Sequence, residues 1–284
     1  MGELPAGARL GAVRLRVADA DLEREFYEAA VGLRTLSVAD GITSLGPDGG
    51  TPLVELLSDP DAAPRPTRST GLFHLAILTP TRADLAQALR RVVAAGWRLS
   101  GASDHLVSEA LYLADSEGNG IELYYDRPRE QWRTADGELQ MATLPLDVDG
   151  LLAEPEPASG DIGLPTGTTL GHVHLQVGDL DAAEAFWADA MGFDVVVRGY
   201  PGALFVSAGG YHHHVGLNTW TGVGAPKPPP GSRGLVHFEL VLPDEASVDA
   251  VAERLGRVGA PIQRADAGVL AADPSGNAVL VRAA

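Results

Sequence analysis

The chain repeats itself, and this constrains its fold more than any other feature. Residues 10–33, LGAVRLRVADADLEREFYEAAVGL, are answered by residues 170–193, LGHVHLQVGDLDAAEAFWADAMGF. Both segments carry LG-x-V-x-L-x-V, an acidic opening, a Phe-Tyr or Phe-Trp pair and a Gly near the end. A second correspondence follows inside each half. GLFHLAILTP at 71–80 matches GLVHFELVLP at 234–243, and ADSEGNGIEL at 114–123 matches ADPSGNAVLV at 272–281. Each half therefore holds two smaller units, and each unit reads as a strand, a helix and three further strands. The opening strands alternate: His172, His174 and Gln176 share one face, and Val173, Leu175 and Val177 the other. The helix of the second unit carries an apolar stripe of Leu85, Ala88, Leu89, Val92 and Val93 and ends near Gly96; its counterpart carries Val248, Val251, Leu255 and Val258. The expected fold is α+β, with four tandem βαβββ units. The expected organisation is a first repeat over 1–126, a connecting segment over 127–168 and a second repeat over 169–284.

The connecting segment opens with RPREQW and closes with the Pro-, Gly- and Glu-rich EPEPASGDIGLPTGT. Leu146, Val148, Leu151 and Leu152 predict that part of it packs down, and the rest reads as linker. A loop over 221–231 contains GAPKPPPG and must be irregular, since proline cannot join a sheet ladder.

Composition excludes several kinds of chemistry. The chain has no cysteine, so disulfides, thiolate metal sites and cysteine nucleophiles are all absent. Its net charge of −17 argues against nucleic acid or an anionic membrane as partner. No apolar run approaches the roughly 20 residues of a membrane span. Met1-Gly-Glu-Leu-Pro lacks the basic and apolar regions of a secretion signal. The expected compartment is the cytoplasm.

The chemistry concentrates in Asp104-His105-Leu-Val-Ser-Glu-Ala-Leu-Tyr112 and the following Asp115-Ser-Glu-Gly118-Asn119-Gly120-Ile121-Glu122. Two strands joined by a polar turn deliver a histidine, a tyrosine and a glutamate. A carboxylate inside the apolar run Ile121-Glu122-Leu123-Tyr124 is costly to bury unless it meets a cation or a donor. A metal ion is the simplest reason to put it there.

Four strand-helix-three-strand units in tandem resemble the vicinal oxygen chelate superfamily, which includes glyoxalases, antibiotic-binding proteins and extradiol ring-cleaving dioxygenases. The resemblance covers nearly the whole chain and implies that the four βαβββ units form paired curved mixed sheets. The pattern His105-x5-Leu111-Tyr112-x2-Asp115-x2-Gly118-x3-Glu122 is similar to the signature of the extradiol dioxygenases. The runs DHLVSEALYL, RPR-x2-W and Gly-Gly-Tyr-His-His-His are similar to those of two-repeat catechol 2,3-dioxygenases. The chain departs from the signature at Ser116, where proline is usual, and at Ser103; Pro274 stands at the matching position of the other half.

In that superfamily the first and last strands of paired units supply metal ligands. By the repeat alignment the first-strand positions here are Ala12, His74, His172 and His237, and the last-strand positions are Glu55, Glu122, His213 and Leu280. Units one and two lose a histidine to Ala12, and units three and four lose the carboxylate to Leu280. Units two and three offer His74, Glu122 and His172, with His213 at the fourth corner. Two imidazoles and one carboxylate are the facial triad of non-haem Fe(II) oxygenases, which leaves coordination positions open. Mn(II) suits the same donors. Glu55 reads as a strand-end surface residue, and His237 and His174 as core histidines.

The resemblance implies that His74, His172 and Glu122 hold Fe(II). It implies that Tyr112 hydrogen-bonds the ionised oxygen of the substrate, that His105 assists there, and that His213 is the acid and base near oxygen. Strand alternation would put His212 and His214 opposite His213, with His214 the rival for that role. The implied reaction opens the ring of a small aromatic diol with O2 to a semialdehyde, as in aromatic hydrocarbon catabolism. A homo-oligomer is compatible with it. Two other readings stay open: a glyoxalase-like Ni or Zn isomerase or lyase, and a metal-free binding protein of the same fold. A histidine rather than a carboxylate at position 213 favours oxygen chemistry over the isomerase. Trp220, Tyr124, Phe205 and Tyr211 are candidate walls for a planar ring.

Overall fold

The computed structural model describes residues 3–135, 138–155, 163–265 and 267–284. The first unit runs β1 (Arg9–Val17), α1 (Ala20–Phe26, continued by a π-helical turn over Tyr27–Val31), β2 (Arg34–Ala39), β3 (Ile42–Gly46) and β4 (Val54–Ser58). The second runs β5 (Gly71–Leu78), α2 (Arg82–Ala94), β6 (Gly101–Asp104), β7 (Ser108–Ala114) and β8 (Gly120–Asp126). The connection holds the short strands β9 (Thr134–Ala135), β10 (Glu138–Leu139) and β11 (Leu144–Pro145) and a turn of helix, α3 (Val148–Leu152). The third unit is β12 (Thr169–Gln176), α4 (Leu180–Glu184, continued by a π-helical turn over Ala185–Ala190), β13 (Asp194–Val197), β14 (Ala203–Ser207) and β15 (Val215–Asn218). The fourth is β16 (Gly234–Leu242), α5 (Glu245–Arg257), β17 (Ile262–Ala265), β18 (Gly268–Ala272) and β19 (Ala278–Ala283). The four βαβββ units read from the repeat are therefore present.

The strands form an eight-stranded sheet, β17-β18-β19-β16-β1-β4-β3-β2, and a nine-stranded sheet, β11-β6-β7-β8-β5-β12-β15-β14-β13. Both are mixed: within a unit the first and last strands run parallel, as in β5–β8, β12–β15 and β16–β19, and the hairpins are antiparallel. The chain forms two compact units. One combines the segment up to Leu15 with Ala63–Phe73 and Gly171–Ala284; the other combines Arg16–Ala62 with His74–Leu170.

Each helix begins where a side chain can take up its first free N–H groups. Asp19, Asp179 and Asp244 accept from the backbone at Leu22, Ala182 and Ser247, and Thr81 forms a reciprocal capping box with Asp84. The π-helical turns end on buried arginines of the second helix in each compact unit. Arg91 donates to the carbonyls of Ala30 and Val31, and Arg254 to those of Ala190 and Met191. This satisfies carbonyls that have no partner within the helix. The apolar stripes hold except at their ends: Val93 is 64% exposed, and Val258 is 63% exposed just beyond the last helical residue. Of Leu146, Val148, Leu151 and Leu152 only Leu151 is buried; Val148 and Leu152 remain exposed because a single helical turn has just one inward position. The linker reading over 156–162 lies outside the described residues.

The repeated Asp-x-x-Gly-Asn turns carry the two halves' best-matched polar design. Asp115 accepts from the backbone of Glu117 and Asn119 and from the Asn119 amide; Asp273 does the same with Ser275 and Asn277. Tyr27 donates to Asp115 at 3.4 Å, and Trp187 donates to Asp273 at 3.2 Å. Glu23, where the other half has Ala183, adds a second buried carboxyl that accepts from the Ser116 hydroxyl. Burial, then the neighbouring Asp115, pushes Glu23 from 4.5 to about 8, and burial pushes Asp115 from 3.8 to about 6. Folded protein thus holds a proton that unfolded chain releases. The resulting stability is complete below about pH 4.5 and is lost as pH rises through about 8. Glu23→Gln cannot ionise and keeps the acceptor for Ser116. It is expected to be more stable than the parent at about pH 8.5, on the order of 2–4 kcal/mol, and less pH-dependent in between. Urea unfolding across that range measures it; parallel profiles for the two proteins would contradict the assignment.

Candidate metal centre

His74 lies on β5 and Glu122 on β8, parallel neighbours in which Ala76 pairs with Glu122. The alternation of the two strands turns both residues to one face, with Ala76, Leu78 and Tyr124. Glu122 is opposite Tyr112 across the β7–β8 hairpin. The hairpin turn is held by Asp115 and needs the positive φ of Gly118, +86°. His172 is on β12. All three residues are buried, His74 at 6% exposure and Glu122 and His172 at 2% each. One ligand atom from each lies within 4.8 Å of the other two. His74 Nε2 stands 3.0 Å from Glu122 Oε2.

This donor set fits a divalent transition metal. Bonds of about 2.0–2.2 Å draw the ligands of one ion to about 3–4 Å from each other, close to the observed span. A buried carboxylate among imidazoles is stabilised by such a charge and strongly destabilised without one. Among the described residues this is the group of three that meets the spacing.

His105 and Tyr112 form a second feature of the same hairpin. His105 Nε2 is 2.6 Å from the Tyr112 hydroxyl, and His105 Nδ1 is 2.7 Å from the carbonyl of Ala142. A carbonyl can only accept, so Nδ1 carries the proton in the neutral ring and Tyr112 donates to Nε2. The Tyr112 ring lies 5.7 Å from the His74 ring. The connecting segment supplies Ala142 because β11 pairs with β6, Leu144 facing Asp104. Leu106 takes a positive φ of +69° to turn the chain, and Asp104 accepts its N–H. Arg127 bridges Asp104 and Glu109, and Arg82 bridges Glu109 and Glu154, all at 2.7–2.8 Å. The RPR-x2-W run serves the same place: Trp132 donates to the Arg127 carbonyl, and Arg129 lies over the Trp132 ring.

The histidine run departs from the strand reading. It precedes β15 in a turn, so alternation does not apply, and His212, His213 and His214 are all buried. His213 packs its ring 4.0 Å from that of His172 and its Nδ1 2.7 Å from His212 Nδ1. His214 turns to the backbone N–H of Ala208 and the hydroxyl of Ser207. Of the residues suggested as ring walls, Phe205 lies 5.0 Å from His213, and Tyr124 is fully buried beside Tyr112. Tyr211 packs on His212 and His214, and Trp220 is half-exposed. Glu55 is the second of the five residues of β4 and is half-buried rather than on the open surface. His174, read as a core residue, is ringed by Phe73, Phe205 and Trp220, a cluster that only the long-range packing of β12 reveals.

Tandem βαβββ units that present two histidines and a glutamate from their first and last strands define a class. The chain belongs to the Glyoxalase/Bleomycin resistance protein/Dioxygenase superfamily, whose family model matches residues 9–123 and 169–281. It is 42% identical to the catechol-2,3-dioxygenase of Bacillus subtilis (strain 168), over 99% of this chain and 99% of that protein. Its fold is similar to that of a solved protein of Bacillus subtilis subsp. subtilis str. 168, with a TM-score of 0.67 and 12% identity over 97% of this chain and 84% of the other. Glyoxalase I from Zea mays has a TM-score of 0.57 and 18% identity over 97% and 92% of the two chains. At those identities the two structures speak to fold alone. No helix is long and apolar enough to cross a membrane among the described residues.

Proposed function

We propose that the protein is an Fe(II)-dependent extradiol dioxygenase that opens the ring of a catechol-type substrate with O2 to a semialdehyde. The observation that carries this is the convergence of His74, Glu122 and His172, with His213 rather than a carboxylate beside them. The full-length relationship to a protein named catechol-2,3-dioxygenase supports the same reading. Bound Fe(II), or Mn(II) in its place, would supply open positions where a catecholate and O2 meet and exchange electrons.

The chain's own residues then divide the remaining work. Tyr112 and His105 take up a substrate proton. A catechol hydroxyl donates to the Tyr112 oxygen, while the Tyr112 proton passes to His105 Nε2, already aimed at it at 2.6 Å. The Ala142 carbonyl holds His105 in the tautomer that leaves Nε2 open to accept. His213 holds or moves a second proton, with His212 Nδ1 fixing its ring. Phe205 and His172 flank His213, which is buried from water. The cytoplasm and the breakdown of aromatic compounds are the setting we assign to this activity. We also take 1–126 and 169–284 as the two sequence repeats, with 127–168 as their connection.

The test is oxygen consumption by Fe(II)-reconstituted protein with catechol. One O2 per ring and a yellow semialdehyde are expected, since both oxygen atoms enter the product. No oxygen uptake with any catechol, in protein that binds the metal stoichiometrically, would end the proposal.

A further inference from the structure

The face of β12 that carries His172 continues outward. In an extended strand residues i, i+2 and i+4 share a face, so His172, His174 and Gln176 form one row. Beside the first lies His213, at 4.0 Å between rings. Phe205 bridges from His213, at 5.0 Å, to His174, at 5.6 Å. Phe73 and Trp220 follow, 5.3 and 5.2 Å from His174 and 5.3 Å from each other. Room for the His174 ring comes from Gly216, its partner on β15, where a Cβ would stand 2.9 Å from the imidazole. The wall ends in water: Trp220 is 47% and Phe73 38% exposed.

A cation stands at the end of the row. Arg65 Nη1 donates to Gln176 Oε1 at 3.2 Å and to the Thr70 carbonyl at 3.4 Å. Gly71, at φ +136°, makes space for it, since a Cβ there would come within 2.4 Å of the same nitrogen. Arg65 is half-buried, and burial lowers its pKa. Both of its acceptors are neutral, and among the described residues no carboxylate pairs with it. That stands out in a chain of net charge −17, where Arg82 and Arg127 are each held by two carboxylates. A partly desolvated guanidinium with neutral partners retains its affinity for a planar carboxylate, which its fork matches in geometry. Four residues of strand put Gln176 about 13 Å from His172. A dihydroxyphenyl ring near His172 with a short side chain bridges that interval.

Resting on the dioxygenase reading above, we infer that Arg65 and Gln176 form a carboxylate subsite at the outer end of this aromatic wall, so that the preferred substrates are catechols whose short apolar side chain ends in a carboxylate.

Anaerobic titration calorimetry tests this with two probes, 3-(2,3-dihydroxyphenyl)propanoate and the neutral 3-propylcatechol. The acid is expected to bind about tenfold more tightly. Arg65→Met is expected to remove the difference and Arg65→Lys to restore part of it. The ratio of affinities is taken within each protein, so a loss of folded material does not imitate the result. Equal binding of the two probes by the parent, or a preference that survives Arg65→Met, would overturn the subsite. Oxygen uptake with unsubstituted catechol is read separately. A protein that opens catechol without discriminating between the probes sinks the subsite alone. One that prefers the acid through Arg65 and opens no catechol sinks the dioxygenase reading alone.

Discussion

Glu122→Gln is expected to leave the protein folded, without a stoichiometric divalent metal, and at least about 10³-fold slower in oxygen uptake with catechol. Changing groups that merely orient metal ligands already lowers affinity or activity by about 10–100-fold. Removing the one anionic donor takes away more. Glutamine keeps the volume and can still hydrogen-bond His74, whose Nε2 is 3.0 Å from the present carboxylate. The fold is therefore not the casualty. In metal-free protein the substitution also removes a carboxylate at 2% exposure, a source of instability rather than of strength. The melting temperature without metal is expected to stay level or rise, while the increase that Fe(II) or Mn(II) gives the parent disappears. Metal analysis after gel filtration and melting curves with and without metal separate the two effects. Undiminished metal stoichiometry in Glu122→Gln would remove the carboxylate from the centre.

His213→Asn is expected to lower turnover with catechol by about 10²–10⁴-fold, the range for loss of a positioned acid and base, with metal content unchanged. Asparagine offers a hydrogen-bonding atom near the place of Nδ1, so His212 keeps a partner. It cannot carry a proton. The imidazole is 5% exposed and its ring lies 4.0 Å from that of His172, so the substitution tests chemistry at a packed position beside the candidate metal donors. Single-turnover kinetics under oxygen is the measurement that decides. Binding of catechol under anaerobic conditions should persist, since Tyr112 and His105 act on the substrate hydroxyl from another element. A variant with parental turnover would move the proton-transfer role elsewhere; His214 is poorly placed to take it, because its ring is engaged with Ala208 and Ser207.

Much of this protein was legible in the order of its residues. The repeat of 10–33 in 170–193 determined four βαβββ units, because a strand, a capped helix and a hairpin each leave a local signature that survives duplication. The acidic openings shared by 10–33 and 170–193 contain the helix caps Asp19 and Asp179. Glu122 announced itself as a carboxylate inside an apolar strand. His74 and His172 were candidates from their places in the repeat taken together with the resemblance, which puts ligands on first and last strands.

Tertiary structure decided what depends on atoms far apart in the chain or on irregular backbone. The three histidines at 212–214 lie in a turn, where a period of two has no force, so only coordinates show His213 against His172 and His214 turned to Ala208. The tautomer of His105 is set by a carbonyl 37 residues away, and the company of Arg65 by a glutamine 111 residues away. Side-chain period reports which way a residue faces along its own strand. It carries no information about which distant group waits there, and the distances among His74, Glu122 and His172 are of that second kind.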